Sequence, residues 1–287
     1  MTTVRLATFN TLSGRSLRSP RADPDLLAEV VAGLGADVVA LQEIDRHQDR
    51  SGDCDQPVLI ARAMGVGQEA RSGPAPGSGH DRGAGDYRFV ATLHGTPGIP
   101  GWSPAIGSGV HEDDPSPLHG VPSYGIALFS RLPVLQWRVL GLGSTPGRYP
   151  LLVPGVRPRV MWLKDEPRAA IAAVLAEPRI TVACTHLSFV PGRNTLQLRR
   201  LTRWLATMPA PRILLGDLNL PGSLPARLTG WRSLLSTATY PSPAPRIQLD
   251  HLLADELPDG TTVTDARAVP LPVSDHCAAV AHLHLRA

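Results

Sequence analysis

The chain has 287 residues, 43% of them hydrophobic, and a formal net charge of +3. This is length for one large domain or two small ones, with apolar content for a sizeable core. No run reaches the roughly 18 apolar residues of a membrane span, no charged-then-apolar leader opens the chain, and the mild positive charge permits a phosphate-bearing substrate without requiring nucleic acid. In chain order, Val4–Asn10 alternates and reads as a strand. "DPDLLAEVVAGLG" has a proline at a helix start, helical apolar spacing and a glycine stop. "DVVALQEI" is a strand and "PVLIARAMG" a second helix. A Gly/Pro-rich stretch runs from Gln68 to Pro122, interrupted by the strand "YRFVATL"; Gly98–Pro122 is expected to be a long surface loop. Strands follow in "YGIALFSRLPV", "QWRVLGL", "AAIAAVLA" and "ITVACTHLS". "NTLQLRRLTRWLATM" is an amphipathic helix with Arg199, Arg200 and Arg203 on a solvated face, and "RILLGDLN", "IQLDHLLA" and "AAVAHLHL" complete the series. Strands outnumber helices and no linker or repeat is evident. The layer rules favour two packed sheets with helices outside, in one domain over 1–287. Cys54, Cys184 and Cys277 are odd in number and far apart. They form neither a metal spacing nor a disulfide framework, which suits a reducing cytoplasm.

Polar residues collect where these strands end. Asn10 closes the first strand, Glu43 ends "VVALQE", and His186 ends "ITVACTH". Asp217 and Asn219 end "RILLGDLN", Asp250 falls in "QLDHLL", and Asp275 and His276 precede the last strand. Active sites are commonly carried on loops where several strands end. On an extended backbone residues two apart face one side, so Asp217 and Asn219 are expected to project together. Both offer hard oxygen atoms suited to Mg²⁺, Mn²⁺ or Ca²⁺. The plain alternative for "GDLNLPG" is a turn, because Gly, Asp, Asn and Pro are turn formers. Asn10 could equally cap backbone, His186 could be a packed core residue, and Asp250 could pair with Arg246 on its own strand. His47, His80, His94, His111 and His119 read as solvated, and "HEDD" at 111–114 as an acidic loop.

The ordered set "TFN", "LQE", "SRLPV", "EPRAA", "THLS", "GDLNLP", "LDHLL" and "SDHCA" resembles the endonuclease/exonuclease/phosphatase family, from residue 4 to about 284. The resemblance implies a four-layer α/β/β/α sandwich and a metal-dependent phosphoric ester hydrolase. Glu43 resembles the principal metal ligand, with Asn10 beside it as a metal or phosphate contact, and Asp275 resembles a further ligand of that site. Asp217 and Asn219 resemble the pair that positions the attacking water and holds phosphate oxygens. His276 resembles the catalytic histidine with Asp250 as its partner, and His186 a second histidine at the scissile phosphate. Glu166 and Arg168 resemble residues beside the site, Glu166 supporting the metal shell, with a surface ion pair as the alternative. Tyr124 opens a strand near the expected cleft and reads as a substrate contact or a β-favouring aromatic. The short list Glu43, Asp275 and Asn10 suits Mg²⁺ or Mn²⁺, which uses few carboxylates and otherwise keeps water or phosphate. A histidine fixed in one tautomer by a carboxylate can act near neutral pH.

His186 stands where abasic-site endonucleases of the family generally carry tyrosine, so the sequence departs from that pattern. The expectation is a phosphodiesterase acting on DNA or RNA, monomeric and without integral membrane association. Alternatives are a phosphatase or phosphodiesterase for a small phosphorylated molecule or phospholipid head group, resembling inositol phosphatases or sphingomyelinases, and a non-catalytic binding module. No amphipathic membrane stretch is legible, which lowers the sphingomyelinase reading.

Overall fold

A computed structural model describes residues 2–16, 19, 21–67, 85–111, 120–153 and 159–286. His80, His119 and residues 112–114 of "HEDD" lie outside the described residues. In chain order the elements are β1 (Thr2–Asn10), α1 (Pro24–Gly33), β2 (Val38–Arg46), α2 (Gln56–Met64), β3 (Asp86–His94), β4 (Ser103–Pro104) and β5 (Gly109–His111). There follow β6 (Ser123–Ser130), β7 (Val134–Gly143), β8 (Arg148–Val153), β9 (Arg159–Lys164), β10 (Arg168–Leu175), β11 (Thr181–His186) and α3 (Arg193–Leu205). The chain closes with β12 (Arg212–Asp217), α4 (Leu224–Thr229), β13 (Arg232–Ser233), β14 (Asp250–Asp255), β15 (Thr262–Val269) and β16 (Ala278–Leu285).

Two seven-stranded mixed sheets carry the fold, ordered β15-β16-β1-β2-β6-β3-β4 and β13-β14-β12-β11-β10-β7-β5. Alternation along each strand assigns its residues to two faces. Leu6, Ala40, Leu128 and Leu283 from the first sheet meet Ile171, Val182, Leu215 and Leu252 from the second in a core between the sheets. Phe9, Leu41 and Phe129 face outward, beneath Leu27 and Val31 of α1 and Ile60 and Met64 of α2. Ala172, Ala183 and Leu214 face the other way, beneath Leu198, Leu201 and Trp204 of α3. The result is the expected α/β/β/α sandwich. The first two helices start as the sequence signals: Asp23 accepts from the Leu26 N–H and Asp55 from the Val58 N–H. Each such cap stabilises its helix by about 1 kcal/mol.

Several expected boundaries differ. Residues 98–111 are not a bare loop: β4 pairs with β3 in one sheet, β5 pairs with β7 in the other, and Ile106 enters the inter-sheet core. "YGIALFSRLPV" is not one strand. β6 stops at Ser130, whose hydroxyl accepts from the Leu132 N–H, and β7 begins after Pro133. "IQLDHLLA" becomes extended only from Asp250. β8, β9, β13 and β15 were not foreseen. β15, "TVTDARAV", is a largely exposed edge strand, so no buried face imposes an apolar alternation on it.

Candidate active site

Strand direction brings the site residues to one end of both sheets. Asn10, His186 and Asp217 are the last residues of β1, β11 and β12, and Arg168 and Asp250 the first of β10 and β14. In the second sheet the register sets His186 beside Asp217 and Asp217 beside Asp250, a row across three neighbouring strands. Gly216 permits this row. A Cβ there would lie 2.0 Å from the Thr185 carbonyl oxygen, so only glycine lets β12 approach β11 so closely.

His276 closes on the row from the loop before β16. Its Nδ1 donates to Asp250 Oδ2 at 2.8 Å, which fixes the ring and aims Nε2 at Asp217 Oδ2, 3.9 Å away. His186 Nε2 lies 3.5 Å from the same oxygen. All four side chains are buried. Burial opposes charge on His276, but the carboxylate and hydrogen bond of Asp250, with Asp217 and Asp275, outweigh it and hold the ring protonated up to about 10. Burial pushes His186 the other way, well below the usual range, with Arg168 and His276 adding to the effect. One histidine is therefore cationic and the other neutral. Burial, aided by Asp250, raises the Asp217 carboxyl to about 7. The alternative pairing of Asp250 with Arg246 does not form; Arg246 lies outside β14 and is exposed.

Asn10 joins this group to Glu43. Its Nδ2 donates to Glu43 Oε1 at 3.1 Å and to Asp217 Oδ2 at 3.0 Å, while its Oδ1 accepts from the Leu12 N–H at 3.2 Å. Asn10 thus presents N–H groups, not its oxygen, to the carboxylates. Glu43 is not at a strand end. It sits inside β2 at a bulge between Gln42 and Ile44, with φ +59°. Leu41 and Ile44 both join the core beneath the helices, so the extra residue releases Glu43 from an alternation that would have buried it there. Bulges recur beside active sites for this kind of re-aiming.

The expected extended "GDLN" is also corrected. The strand stops at Asp217, and Asn219 adopts φ +49°. Its backbone N–H donates to Asp217 Oδ1 at 2.9 Å and its Nδ2 to the Leu187 carbonyl at 2.9 Å. The segment is therefore a turn whose first residue is a site carboxylate, so the two readings of this motif coexist.

Tyr124, Glu166 and Arg168 are brought to the same place. Arg168 Nη2 lies 4.0 Å from Glu166 Oε2, and its buried Nε has no hydrogen-bond partner among the described residues. Tyr124 is buried, and burial with the nearby charges of Glu43 and Glu166 raises its phenol well above the usual range. Burial raises Glu166 to about 7, opposed by Arg168 and aided by Glu43. Burial likewise raises Asp275, with Glu43 and Asp250 adding to it and His276 opposing. Glu43, Glu166, Asp217 and Asp275 are thus neighbouring carboxylates that share the counter-charge of Arg168, Arg50 and His276, and among the described residues Asp250 Oδ1 is buried without a partner. Such a donor set fits a hard divalent cation. Among the described residues, the ligand atoms of Asp217, Asp250 and His276 also lie within 4.8 Å of one another, although Asp250 and His276 are engaged with each other.

Sequence reasoning missed Tyr240. Its ring packs on His276 with centroids 4.7 Å apart at 47°. Its only sequence signal is an aromatic residue set in the Pro-rich "TATYPSPAP". Arg50 was missed too: it pairs with Asp45 at 2.7 Å and lies over the Tyr124 ring at 5.6 Å.

A family model described as "Endonuclease/Exonuclease/phosphatase family" matches residues 7–276. An endonuclease/exonuclease/phosphatase from Beutenbergia cavernae superposes with a TM-score of 0.60 at 19% identity, over 99% of this chain and 72% of that one. One from Bacteroides vulgatus gives 0.61 at 16% identity over the whole of both chains. A mannosyl-6-phosphatase from Bacteroides thetaiotaomicron gives 0.55 at 13% identity, over 98% of this chain and 100% of that one. No curated protein matches the chain.

Proposed function

Since the chain belongs to the endonuclease/exonuclease/phosphatase family and is thereby a divalent-metal-dependent phosphoric ester hydrolase, we propose that it cleaves phosphodiester bonds, with DNA or RNA as the leading substrate. The observation that carries this reading is the Asp250–His276 pair aimed at Asp217, which Asn10 in turn ties to Glu43. Glu43 and Asp275, with Glu166 behind them, would hold Mg²⁺ or Mn²⁺. The ion would neutralise charge on the phosphoryl oxygens.

The protein's own groups divide the remaining work. Asp217, with its carboxyl near 7, orients the attacking water and takes its proton, as a base is most effective when its pKa lies near the working pH. His276, held cationic, faces the negative charge that grows on the phosphoryl group. Neutral His186 contributes a hydrogen bond without a second charge. Asn219 spends one amide hydrogen on Leu187 and has the other for a phosphoryl oxygen. Asn10 fixes the spacing of Asp217 and Glu43, and Tyr124 and Arg168 close the site behind the phosphate.

The test is hydrolysis of bis-p-nitrophenyl phosphate with Mg²⁺ or Mn²⁺, followed by plasmid DNA, RNA, inositol phosphates, a sugar phosphate and sphingomyelin. EDTA-sensitive turnover of the diester is expected; none with either ion would remove the reading. A phospholipid head-group diester is a second reading, favoured by one observation: a hairpin with Trp162 and Val160 exposed, β8–β9, leads directly into Glu166. The three free cysteines support a cytoplasmic location. Among the described residues no helix is long and apolar enough to cross a membrane.

A further inference from the structure

The first turn of α3 turns polar side chains onto the loops of the candidate site. The turns behind it pack apolar residues under the second sheet through Leu198, Leu201 and Trp204. The helix cap is Gly192, which has no side-chain oxygen to offer the unpaired N–H groups that open a helix. Asn194, the second helical residue, supplies one instead: its Oδ1 accepts from the Thr195 N–H at 2.8 Å. That bond sets which end of the amide points where, and Nδ2 is left to donate to the Asn219 carbonyl at 2.8 Å. One turn on, Gln197 accepts from the Ser188 N–H at 2.8 Å and donates to the Gly143 carbonyl at 3.1 Å. Both side chains are buried.

We propose that Asn194 is a positioning residue: from α3 it holds the left-handed turn that aims the Asn219 amide at the phosphoryl group, a role that rests on the phosphate contact given to Asn219 above. A side chain leaves the backbone in a direction set by the rigid peptide planes on either side of it. Before Asn219 the plane is fixed by its N–H, which donates to Asp217 Oδ1 at 2.9 Å; after it, the plane is fixed by the carbonyl that Asn194 engages. Asn219 has φ +49°, a conformation asparagine tolerates but does not prefer, so the turn depends on both bonds. The same helix also steadies the acceptor of the Asn219 side chain. Its Nδ2 donates to the Leu187 carbonyl at 2.9 Å, and Gln197 fixes Ser188, the next residue. Asp217 ends a paired strand, whereas Asn219 lies past it. A site residue on a loop keeps its geometry only where a rigid element supports it, and the anchored helix is that element. Capping accounts for the Asn194 oxygen, but serine caps as well; the amide nitrogen serves only the Asn219 turn.

Asn194→Ser separates the two bonds. Serine accepts from a first-turn N–H as asparagine does but is too short to reach the Asn219 carbonyl, and Asn194→Ala loses both bonds. Each variant should keep the wild-type circular dichroism spectrum. Each should lower kcat on bis-p-nitrophenyl phosphate by roughly 10- to 100-fold, the scale of an ångström's misplacement, with KM and the metal titration within a few-fold of wild type. Added to Asn219→Ala, Asn194→Ser should cost nothing more, since it acts through that side chain. Deuterium exchange reads the same bond without turnover: in both variants the peptide 218–222 should exchange faster than in wild type while β12 keeps its protection. Wild-type kcat in Asn194→Ser beside a defective Asn194→Ala would leave Asn194 only a helix cap. Additive losses, or unchanged exchange at 218–222, would equally overturn the positioning role. Wild-type kcat in Asn219→Ala would instead remove the phosphate contact of Asn219, and with it anything for Asn194 to position.

Discussion

Asp217→Asn should make the metal-free protein more stable at alkaline pH while disabling it. The carboxyl is buried and is raised from 3.8 to about 7. A group whose folded pKa exceeds its unfolded value contributes nothing adverse below the unfolded pKa, and costs stability as pH rises through the folded one. Fully ionised, at pH 8, the cost is about 4 kcal/mol, from 1.36 kcal/mol per pH unit. Asparagine removes that charge and still accepts from the Asn219 N–H through its oxygen. Its new NH₂ then faces the Nδ2 of Asn10, which now donates to Oδ2 at 3.0 Å. Two opposed donors cost about 1–3 kcal/mol. The balance is a gain of about 1–3 kcal/mol at pH 8, or a few degrees in Tm for a chain of this size, and a loss at pH 4, where only the opposed donors remain. In EDTA, thermal unfolding at pH 4, 6 and 8 measures this directly. With saturating Mg²⁺, kcat should fall by at least ~10²-fold, the lower end for a positioned base. Asn219→Asp provides the contrast. Asp tolerates the left-handed turn, but losing the Nδ2 bond to Leu187 should destabilise by about 1–3 kcal/mol at every pH. The reasoning fails if Asp217→Asn is destabilising at pH 8 by as much as at pH 4, or if its kcat stays within a few-fold of wild type.

Asp250→Asn and His276→Ala should each cost orders of magnitude in kcat without adding, since one fixes the ring of the other; additive losses in a double-mutant cycle would separate them. Glu43→Gln should shift the metal titration of activity to higher concentration with the circular dichroism spectrum preserved, and an unshifted titration would remove Glu43 from the metal site. Mg²⁺ affinity, read by calorimetry, should strengthen as pH rises from 5 to 7.5, because protons must leave Asp217 and Glu166, both near 7; a pH-independent affinity contradicts this. His251 donates through Nε2 to the Leu220 carbonyl and accepts from Gln248 at Nδ1, and burial lowers its pKa. The unfolded state therefore takes up a proton first. The stability His251 contributes is intact above 6.5 and is lost as pH falls below it, so His251→Gln should flatten the Tm slope between pH 5 and 7, and an unchanged slope would refute its share.

The strands and helices legible in the sequence are those with one clean periodicity. β1, α3 and β16 bury one face and expose or stack the other, so their apolar spacing is fixed locally. The polar residues of the candidate site were legible for the same reason: Asn10, His186 and Asp217 interrupt apolar runs where a strand must end. Glu43 was found, but its setting was not. Its bulge is defined by the pairing of β2 with β6, a partner some 80 residues away that no local pattern encodes. The left-handed turn at Asn219 and the placement of Tyr240 on His276 likewise depend on distant chain. β8–β9 escaped because apolar residues occupy both faces, so "YPLLV" and "RVMWLK" show no alternation, and prolines around them read as loop.

Asn10 and Glu43 belong to one sheet, and His186, Asp217 and Asp250 to the other. Neither half owns the reactive centre; the Asn10 carboxamide spans the seam, as does the contact of His276 with Asp250. The sheets are held apart only by the side chains wedged between them, so the filling of that gap sets the span Asn10 must cross. A slide of one ångström would stretch its 3.0 Å contact with Asp217 beyond hydrogen-bond range. The centre therefore acts as a caliper on the interior. Trimming Ile171, in the core between the sheets, should register as a catalytic defect before it registers as unfolding.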